Sequence, residues 1–114
     1  MPPKMNPLKL NALQLKTLTL LQELARWPES SQALPDSDEI FISSLPQPHG
    51  DHFHLGRRVV LSRDATGLGN QAVWVALERK GLIKGAFPAA ATLTRAGQDY
   101  ETGMRDALLH GSDH

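Results

Sequence analysis

The sequence predicts a small α+β domain, and three observations carry that prediction. Leucines recur at three- and four-residue spacing over residues 10–24, which is typical of a helix with one buried face. Apolar residues alternate with polar ones at the start of residues 52–61, which indicates a strand. A second helical pattern covers residues 70–80 and stops at Gly81. With 114 residues, the chain is long enough to bury a single hydrophobic core.

The first helix is predicted over residues 11–26. Asn11 can cap its N-terminus, with Gln14 as the capping-box partner. Pro28 ends it, because the residue before a proline is pushed out of the helical region. Residues 1–9 contain three prolines and are predicted to form a loose arm. The expected buried positions of the helix are Leu10, Leu13, Thr17, Leu18, Leu21, Leu24 and Ala25.

Residues 28–51 leave two interpretations open. Four prolines interrupt this stretch. Asp36 or Ser37 could cap a short helix over residues 38–45. Alternatively, residues 40–43 form a short strand. The sequence does not decide between them.

The second helix is predicted over residues 70–80. Asn70 can cap its N-terminus, and Gly81 can end it in the left-handed conformation that favours glycine. Gly67 and Gly69 indicate a turn or a weakened segment before the helix. The side chains expected to point inward are Val73, Ala76 and Leu77.

A loop and a last helix complete the predicted domain. Residues 85–91 are expected to be a loop, followed by a short strand around residues 92–93. Thr94 can cap the last helix, and Gly97 lets that helix approach its neighbour closely. Residues 111–114 are expected to be a frayed end. The predicted buried stripe of this helix, which is also the candidate surface for a homodimer, consists of Ala96, Tyr100, Met104, Ala107 and Leu108.

Two short motifs carry a resemblance to a known family. The second helix closes with Leu77-Glu78-Arg79-Lys80-Gly81-Leu82-Ile83, and residues 91–98 read Ala-Thr-Leu-Thr-Arg-Ala-Gly-Gln. This part of the chain resembles winged helix-turn-helix domains, and residues 91–98 are similar to MarR-type and ModE-type regulators. In that family the recognition helix ends in this way, a β-wing follows, and the wing runs into a Leu-Thr-x-x-Gly turn. The resemblance covers roughly residues 62–100 and, by position, the first helix.

The resemblance implies one winged helix-turn-helix domain over residues 10–110. Its helices would pack on a short two- or three-stranded antiparallel sheet. The implied function is that of a transcriptional regulator that binds double-stranded DNA as a dimer. No cofactor is expected.

Charge is distributed unevenly, although the formal net charge is zero. Residues 29–55 carry five acidic side chains and no basic one, whereas residues 56–97 carry seven basic and two acidic ones. A neutral total argues against indiscriminate coating of nucleic acid, because nonspecific affinity comes from neutralising phosphates. The basic block still permits a local nucleic-acid footprint, although these charges could equally serve only to keep the domain in solution.

If residues 70–80 form a recognition helix, its outward face would meet the bases. Asn70 and Gln71 could pair with adenine in the major groove, and Trp74 lies on the same predicted face. Each has another interpretation: Asn70 as a helix cap, Gln71 as a solvated side chain and Trp74 as a packing or interface residue. The side chains predicted to hold phosphates are Arg57, Arg58, Arg63, Lys84 and Arg95.

Two features favour a protein partner over DNA. The predicted wing, residues 85–91, carries no charge, and Glu78 puts a negative charge on the face that would meet phosphate. An uncharged wing suits a protein contact. A winged-helix protein-interaction module that uses Trp74 and Phe87 is therefore the alternative function.

The histidines indicate a further alternative, metal binding. His52 and His54 share one face of the predicted strand, and Asp51 or His49 could join them as ligands of one ion. The spacing matches no recognised metal motif, and exposed loop histidines are the other interpretation. No metal is assigned, and His49, His52 and His54 remain candidates for a histidine-based metal-binding domain.

Several other function classes are excluded or not expected. The sequence has no cysteine, which excludes disulfides, thiolate metal sites and cysteine nucleophiles. No apolar run approaches the roughly 20 residues of a membrane span. The N-terminus lacks a secretory signal, so no membrane partner and a cytoplasmic location are expected. Catalysis is not expected, because the serines lack a nucleophile-elbow context and Gly67-Leu68-Gly69 lacks the spacing of a phosphate loop.

Overall fold

A computed structural model describes residues 6–46 and 50–111 of the chain. Within these ranges the chain forms four α-helices, two short 3-10 helices and two antiparallel sheets, so the predicted α+β class is confirmed. The helices are α1 (Ala12–Leu24), α2 (Gln71–Arg79), α3 (Arg95–Asp99) and α4 (Arg105–Leu108), and the 3-10 helices are Ser62–Asp64 and Thr66–Gly69. The strands are β1 (Ser31–Ala33), β2 (Ile40–Ile42), β3 (His52–Leu55), β4 (Arg58–Leu61), β5 (Ile83–Ala86), β6 (Ala90–Leu93) and β7 (His110–Gly111).

The predicted capping box at the start of α1 is confirmed. The Gln14 N–H donates to Asn11 Oδ1 at 2.8 Å, and the Asn11 N–H donates to Gln14 Oε1 at 3.0 Å. The prediction of one buried face is too narrow, because α2, α3, β3 and the second 3-10 helix all pack against α1. The hydroxyls of Thr17 and Thr19 are buried with it, and each donates to the carbonyl four residues earlier. The buried residues of α1 are Thr17, Leu18, Thr19, Leu20, Leu21, Glu23 and Leu24.

The larger sheet has four antiparallel strands in the order β1-β2-β6-β5. Phe41 of β2 faces Gln32 of β1 on one side and Thr92 of β6 on the other. Strand β2 therefore resolves the question that the sequence left open, and the alternative short helix over residues 38–45 does not form. The predicted sheet of two or three strands is too small, because β1 adds an edge strand.

Residues 52–61 form a hairpin and not the predicted single strand. β3 and β4 pair antiparallel, with His52 opposite Leu61, and β7 adds two residues beside β4. The chain reverses at Gly56, which has a positive φ of 62°. A Cβ atom at this glycine would lie 2.2 Å from the ring of Trp27. Both the turn and the ring contact therefore require glycine.

The exit from α2 follows the predicted glycine turn. Asn70 Oδ1 caps the helix by accepting the amide N–H two residues ahead at 3.0 Å. At the other end Gly81 has a φ of 76°. The Gly81 N–H donates to the Glu78 carbonyl at 2.9 Å, and the Leu82 N–H donates to the Leu77 carbonyl at 3.1 Å. These two hydrogen bonds form a Schellman motif, which turns the chain sharply out of the helix.

A hairpin of β5 and β6 follows α2 directly. Ala86 is opposite Ala90, so most of the predicted loop over residues 85–91 belongs to strands. The predicted cap of the next helix is confirmed, because the Gly97 N–H donates to Thr94 Oγ1 at 3.1 Å. The same hydroxyl donates to the Leu82 carbonyl at 2.9 Å, which ties the start of α3 to the end of α2.

The prediction of one long last helix is wrong. α3 and α4 are separate, and Gly103 lies between them with a φ of 69°. Thr102 is buried beside it, and its hydroxyl is hydrogen-bonded to the Thr19 hydroxyl at 2.6 Å, which holds the interruption against α1. Without a continuous helix, the predicted dimer stripe does not form. Of its residues, Leu108 is buried, Tyr100 and Met104 are half-buried, and Ala96 and Ala107 are exposed.

The described part of the predicted N-terminal arm contacts the domain. The Leu8 N–H donates to the hydroxyl of Tyr100 at 3.1 Å, and that hydroxyl donates to the carboxamide of Asn6. Asn6 also accepts from the Leu10 N–H at 3.0 Å. Residues 6–9 are therefore hydrogen-bonded to the domain. Residues 1–5 and 112–114 lie outside the described residues.

The buried core consists mainly of leucine side chains, and Trp74 is its largest member. α1 and α2 supply one side of this core, and both sheets contribute inward residues to it. Across the described ranges, no helix is long and apolar enough to cross a lipid bilayer.

Candidate nucleic-acid interface

The outward face of α2 is short and mostly polar. Its nine residues span about 13 Å at the rise of an α-helix. Gln71 is exposed near the start and Glu78 near the end, and Val75 is exposed between them. These three side chains are three and four residues apart, so they lie on one face of the helix.

Trp74 does not belong to this face, and its prediction as a nucleic-acid contact is wrong. The side chain is only 1% exposed. Its ring meets the ring of Phe87 edge-to-face, with the centroids 5.1 Å apart. The inward arc of α2 is wider than predicted, because the helix packs against both α1 and β5. Trp74 therefore fixes the β5–β6 hairpin to α2.

Asn70 lies exposed at the N-terminus of α2 with its side-chain oxygen already engaged. This oxygen accepts the Ala72 N–H at 3.0 Å. A two-point pairing with adenine needs both the oxygen and the nitrogen of a carboxamide. Asn70 would have to give up the cap to make it, whereas Gln71 is exposed one residue further on.

Two of the predicted phosphate contacts are paired with carboxylates. Lys84 Nζ lies 2.8 Å from Glu39 Oε2, and Arg95 Nε lies 2.9 Å from Asp99 Oδ2. Lys84 and Arg95 both remain well exposed to solvent. The Arg95–Asp99 pair is exposed on both sides and is worth at most about 1 kcal/mol, so a phosphate could replace that carboxylate. Glu39 is only 20% exposed, so the Lys84 pair is partly sheltered from solvent.

The other three predicted phosphate contacts, all arginines, are not gathered in one place. Arg57 and Arg58 lie at the turn of the β3–β4 hairpin, next to the Gly56 that packs on Trp27. Arg63 lies beyond the opposite end of β4, about 15 Å away along the extended strand. Arg58 is only half-exposed, and its Nε is buried without a hydrogen-bond partner among the described residues.

Arg63 is positioned ahead of α2 by contacts that the sequence did not indicate. It lies in the first 3-10 helix. The next residue, Asp64, accepts a hydrogen bond from Lys16 Nζ of α1 at 3.1 Å. The second 3-10 helix packs against both α1 and α2. The exposed Arg63 therefore lies eight residues before α2, on a segment that is tied to α1.

The histidine candidates lie at the start of β3, next to the first 3-10 helix. His52 Nε2 and His54 Nε2 are 3.1 Å apart, and His52 Nδ1 lies 3.3 Å from Asp51 Oδ1. The hydrogen bond from His52 lowers the pKa of Asp51 below its usual value. His49 lies outside the described residues. Among residues 6–46 and 50–111, no group of three or more histidines and carboxylates could hold a metal ion.

Comparison with known proteins identifies no relative. No protein-family model matches the chain, and no match was found among curated proteins or solved structures.

Proposed function

We propose that this chain is a small winged-helix protein that binds double-stranded DNA and regulates transcription, with α2 as its recognition helix. The observation that carries the proposal is the path of the chain after α2. Gly81 ends the helix, β5 and β6 return as a hairpin, and Thr94 caps the next helix. This path agrees with the winged-helix resemblance at both of its motifs.

The exposed face of α2 supports base recognition by Gln71 and Val75. The major groove is about 12 Å wide and admits an α-helix. Gln71 can pair with adenine through both ends of its carboxamide, and Val75, one turn further on, can contact a thymine methyl group. The carboxylate of Glu78 lies over Gly85 of β5. Its negative charge is therefore at the hairpin end of the helix and not beside Gln71.

The phosphate contacts are best supplied by cations on segments that precede α2 or pack against it. Arg63 precedes the helix, and Lys84 lies on β5, which packs against it. Arg57 and Arg58 lie at the far end of β4 and would contribute only if the DNA extends or bends that far. Arg63 and Lys84 are accordingly the strongest candidates.

The proposal is tested with the full chain and a labelled pool of DNA duplexes that contain a randomised central segment. For about four phosphate contacts, the association constant should fall about 150-fold between about 50 and 200 mM salt. Arg63→Ala should weaken binding to every sequence and reduce the salt slope by about one. Gln71→Ala should change the selected sequences without lowering the melting temperature, because its side chain is exposed.

Arg26→Ala is the matched control. Arg26 is exposed just after α1, and its removal changes the net charge as Arg63→Ala does. It should leave DNA affinity within about twofold, since rim charges away from an interface contribute little. No salt-dependent binding to any duplex at the lower salt concentration, or equal loss in both arginine variants, would refute the proposal.

A substitution that strengthens binding gives an independent check. Glu39→Gln removes the carboxylate that holds Lys84 at 2.8 Å. If Lys84 faces phosphate, this variant should bind DNA more tightly and with a steeper salt dependence. Asp99→Asn makes the same charge change at Arg95 and shows whether that residue also faces DNA. Unchanged affinity in Glu39→Gln would remove Lys84 from the interface.

The alternative of a protein-interaction module loses its predicted anchors. It relied on Trp74 and Phe87, and these two rings pack against each other within the domain. Trp74 is buried and Phe87 is half-buried, so neither ring is presented as an open anchor for a partner.

A further inference from the structure

We propose that a small cavity between α1, α3, α4 and the larger sheet binds a free amino acid with a short apolar side chain. The cavity has a volume of about 220 Å³. Sites for drug-sized molecules typically measure about 300–1,000 Å³, so this cavity suits a smaller ligand. Gln71, Arg63 and Lys84 do not line it, so the site is independent of the proposed DNA interface.

Two arginines give the cavity a positive wall. Arg26 follows the end of α1 and Arg105 begins α4, and both side chains line the cavity. They are 61% and 40% exposed, so both guanidinium groups can reach a ligand. Guanidinium groups bind carboxylates through paired, charge-assisted hydrogen bonds. The wall therefore fits a ligand that carries a carboxylate.

The carboxylate of Glu23 leaves part of this positive charge unbalanced. Its Oε1 accepts a hydrogen bond from Arg105 and lies 3.9 Å from Arg26. Glu23 is 1% exposed and does not line the cavity, so a ligand would not meet it. A guanidinium group has five N–H donors, so Arg105 keeps donors for a second acceptor. Two guanidinium groups and one carboxylate leave one positive charge, which one ligand carboxylate would balance.

Two glutamines supply hydrogen-bond acceptors to the same cavity. Gln22 Nε2 donates to the carbonyls of Gly97 and Tyr100, each at 2.8 Å, and Gln98 Nε2 donates to the Asp38 carbonyl at 2.6 Å. Because carbonyl oxygens can only accept, these bonds fix which end of each carboxamide is the nitrogen. Neither carboxamide oxygen has a hydrogen-bond partner among the described residues. These oxygens can therefore accept from the ammonium group of a ligand.

The rest of the cavity wall is apolar. Ala25, Ile40 and Leu93 supply it, from the end of α1 and from two neighbouring strands of the larger sheet. An amino acid such as valine combines a carboxylate, an ammonium group and a short apolar side chain, so it matches all three kinds of wall. A fatty acid of the same size would satisfy the arginines and leave the glutamine oxygens without a donor.

The experiment is an NMR titration of the isotope-labelled full chain with L-valine, followed through the side-chain amide signals of Gln22 and Gln98. Two analogues separate the contacts. Isovalerate lacks the amino group, and L-valinol has a hydroxymethyl group in place of the carboxylate. Each should bind at least tenfold more weakly than L-valine, because each loses one set of charge-assisted hydrogen bonds.

Arg26→Gln tests the positive wall without disturbing the core, because Arg26 is exposed. It should weaken the binding of L-valine and of isovalerate at least tenfold. The binding of L-valinol should stay within about twofold, since this analogue has no carboxylate to lose a partner. A change in the fold would instead weaken all three molecules alike.

Arg95→Gln is the matched control. It removes another exposed arginine, which lies on α3 and does not line the cavity. This variant should bind L-valine within about twofold of the native chain. The absence of any shift at millimolar L-valine, an equal loss in the two arginine variants, or binding of isovalerate or L-valinol as tight as that of L-valine would overturn the proposal.

Discussion

The buried carboxylate of Glu23 leads to a prediction about the stability of the domain, which depends on its partner Arg105. The Glu23 side chain is 1% exposed at the end of α1. The Trp27 Nε1–H donates to Glu23 Oε2 at 2.9 Å, and the Arg105 guanidinium of α4 donates to Oε1. Arg26 is more distant, at 3.9 Å. Arg105→Gln should therefore leave a buried carboxylate without its closest cation.

The expected loss follows from the burial of the two partners. Removing one member of a fully buried ion pair costs about 3–5 kcal/mol, because the remaining charge is uncompensated. The Arg105 side chain is 40% exposed, so water can replace part of the interaction. We expect a loss of about 2–3 kcal/mol in the free energy of unfolding, or about 10 °C in melting temperature for a domain of this size.

Urea and thermal unfolding of the variants, followed by circular dichroism, measure this loss. Arg95→Gln is the matched control, because it also removes one arginine, but from a pair whose side chains are 63% and 60% exposed. It should cost about 0.5 kcal/mol or less. Adding Glu23→Gln to Arg105→Gln should recover part of the stability by removing the stranded charge. If Arg105→Gln costs no more than Arg95→Gln, the reasoning is wrong.

Three further predictions concern two glycines and one helix cap, and they are measured in the same unfolding assays. Gly97→Ala should cost about 3 kcal/mol, because its Cβ would lie 2.1 Å from a backbone carbonyl oxygen, whereas Gly69→Ala, with nothing within 4 Å, should be close to neutral. Gly56→Ala should cost at least as much as Gly97→Ala, since it combines a positive φ of 62° with a clash against Trp27. Asn11→Ala should cost about 1 kcal/mol, and equal stability would show that the capping box contributes nothing.

The sequence predicted best those features that are determined by neighbouring residues. The capping box at Asn11, the caps at Asn70 and Thr94 and the turn at Gly81 each involve hydrogen bonds within about five residues. Residue type and spacing are enough to specify such local geometry. These elements were therefore placed to within a few residues.

The missed features of the fold depend on distant contacts. Residues 52–61 were predicted as one strand although Gly56 and two arginines interrupt the apolar residues, and the contact of Gly56 with the ring of Trp27 lies in a distant part of the chain. The last helix has a convincing stripe, yet Thr102 is held by Thr19 of α1 and interrupts it. Helical periodicity reflects only residues that are close in sequence, so it does not show that a contact with a distant helix interrupts the pattern.

The candidate interface was predicted only in part, for the same reason. Gln71 and Arg63 are exposed as expected, but Lys84 is paired with Glu39, which is far from it in the sequence. A count of charges in residues 56–97 does not show which of them are neutralised. It also does not show that the β4 strand separates Arg57 from Arg63.

The position of Trp74 determines which substitutions can test the DNA proposal. Its ring is buried between α2 and the β5–β6 hairpin and packs against Phe87. Replacing it with alanine should cost about 3–5 kcal/mol, which is a large part of the stability of a domain this small. DNA binding would then be lost because the fold is lost, and the result would be indistinguishable from the loss of a base contact. Only exposed residues such as Gln71 and Arg63 can separate recognition from folding.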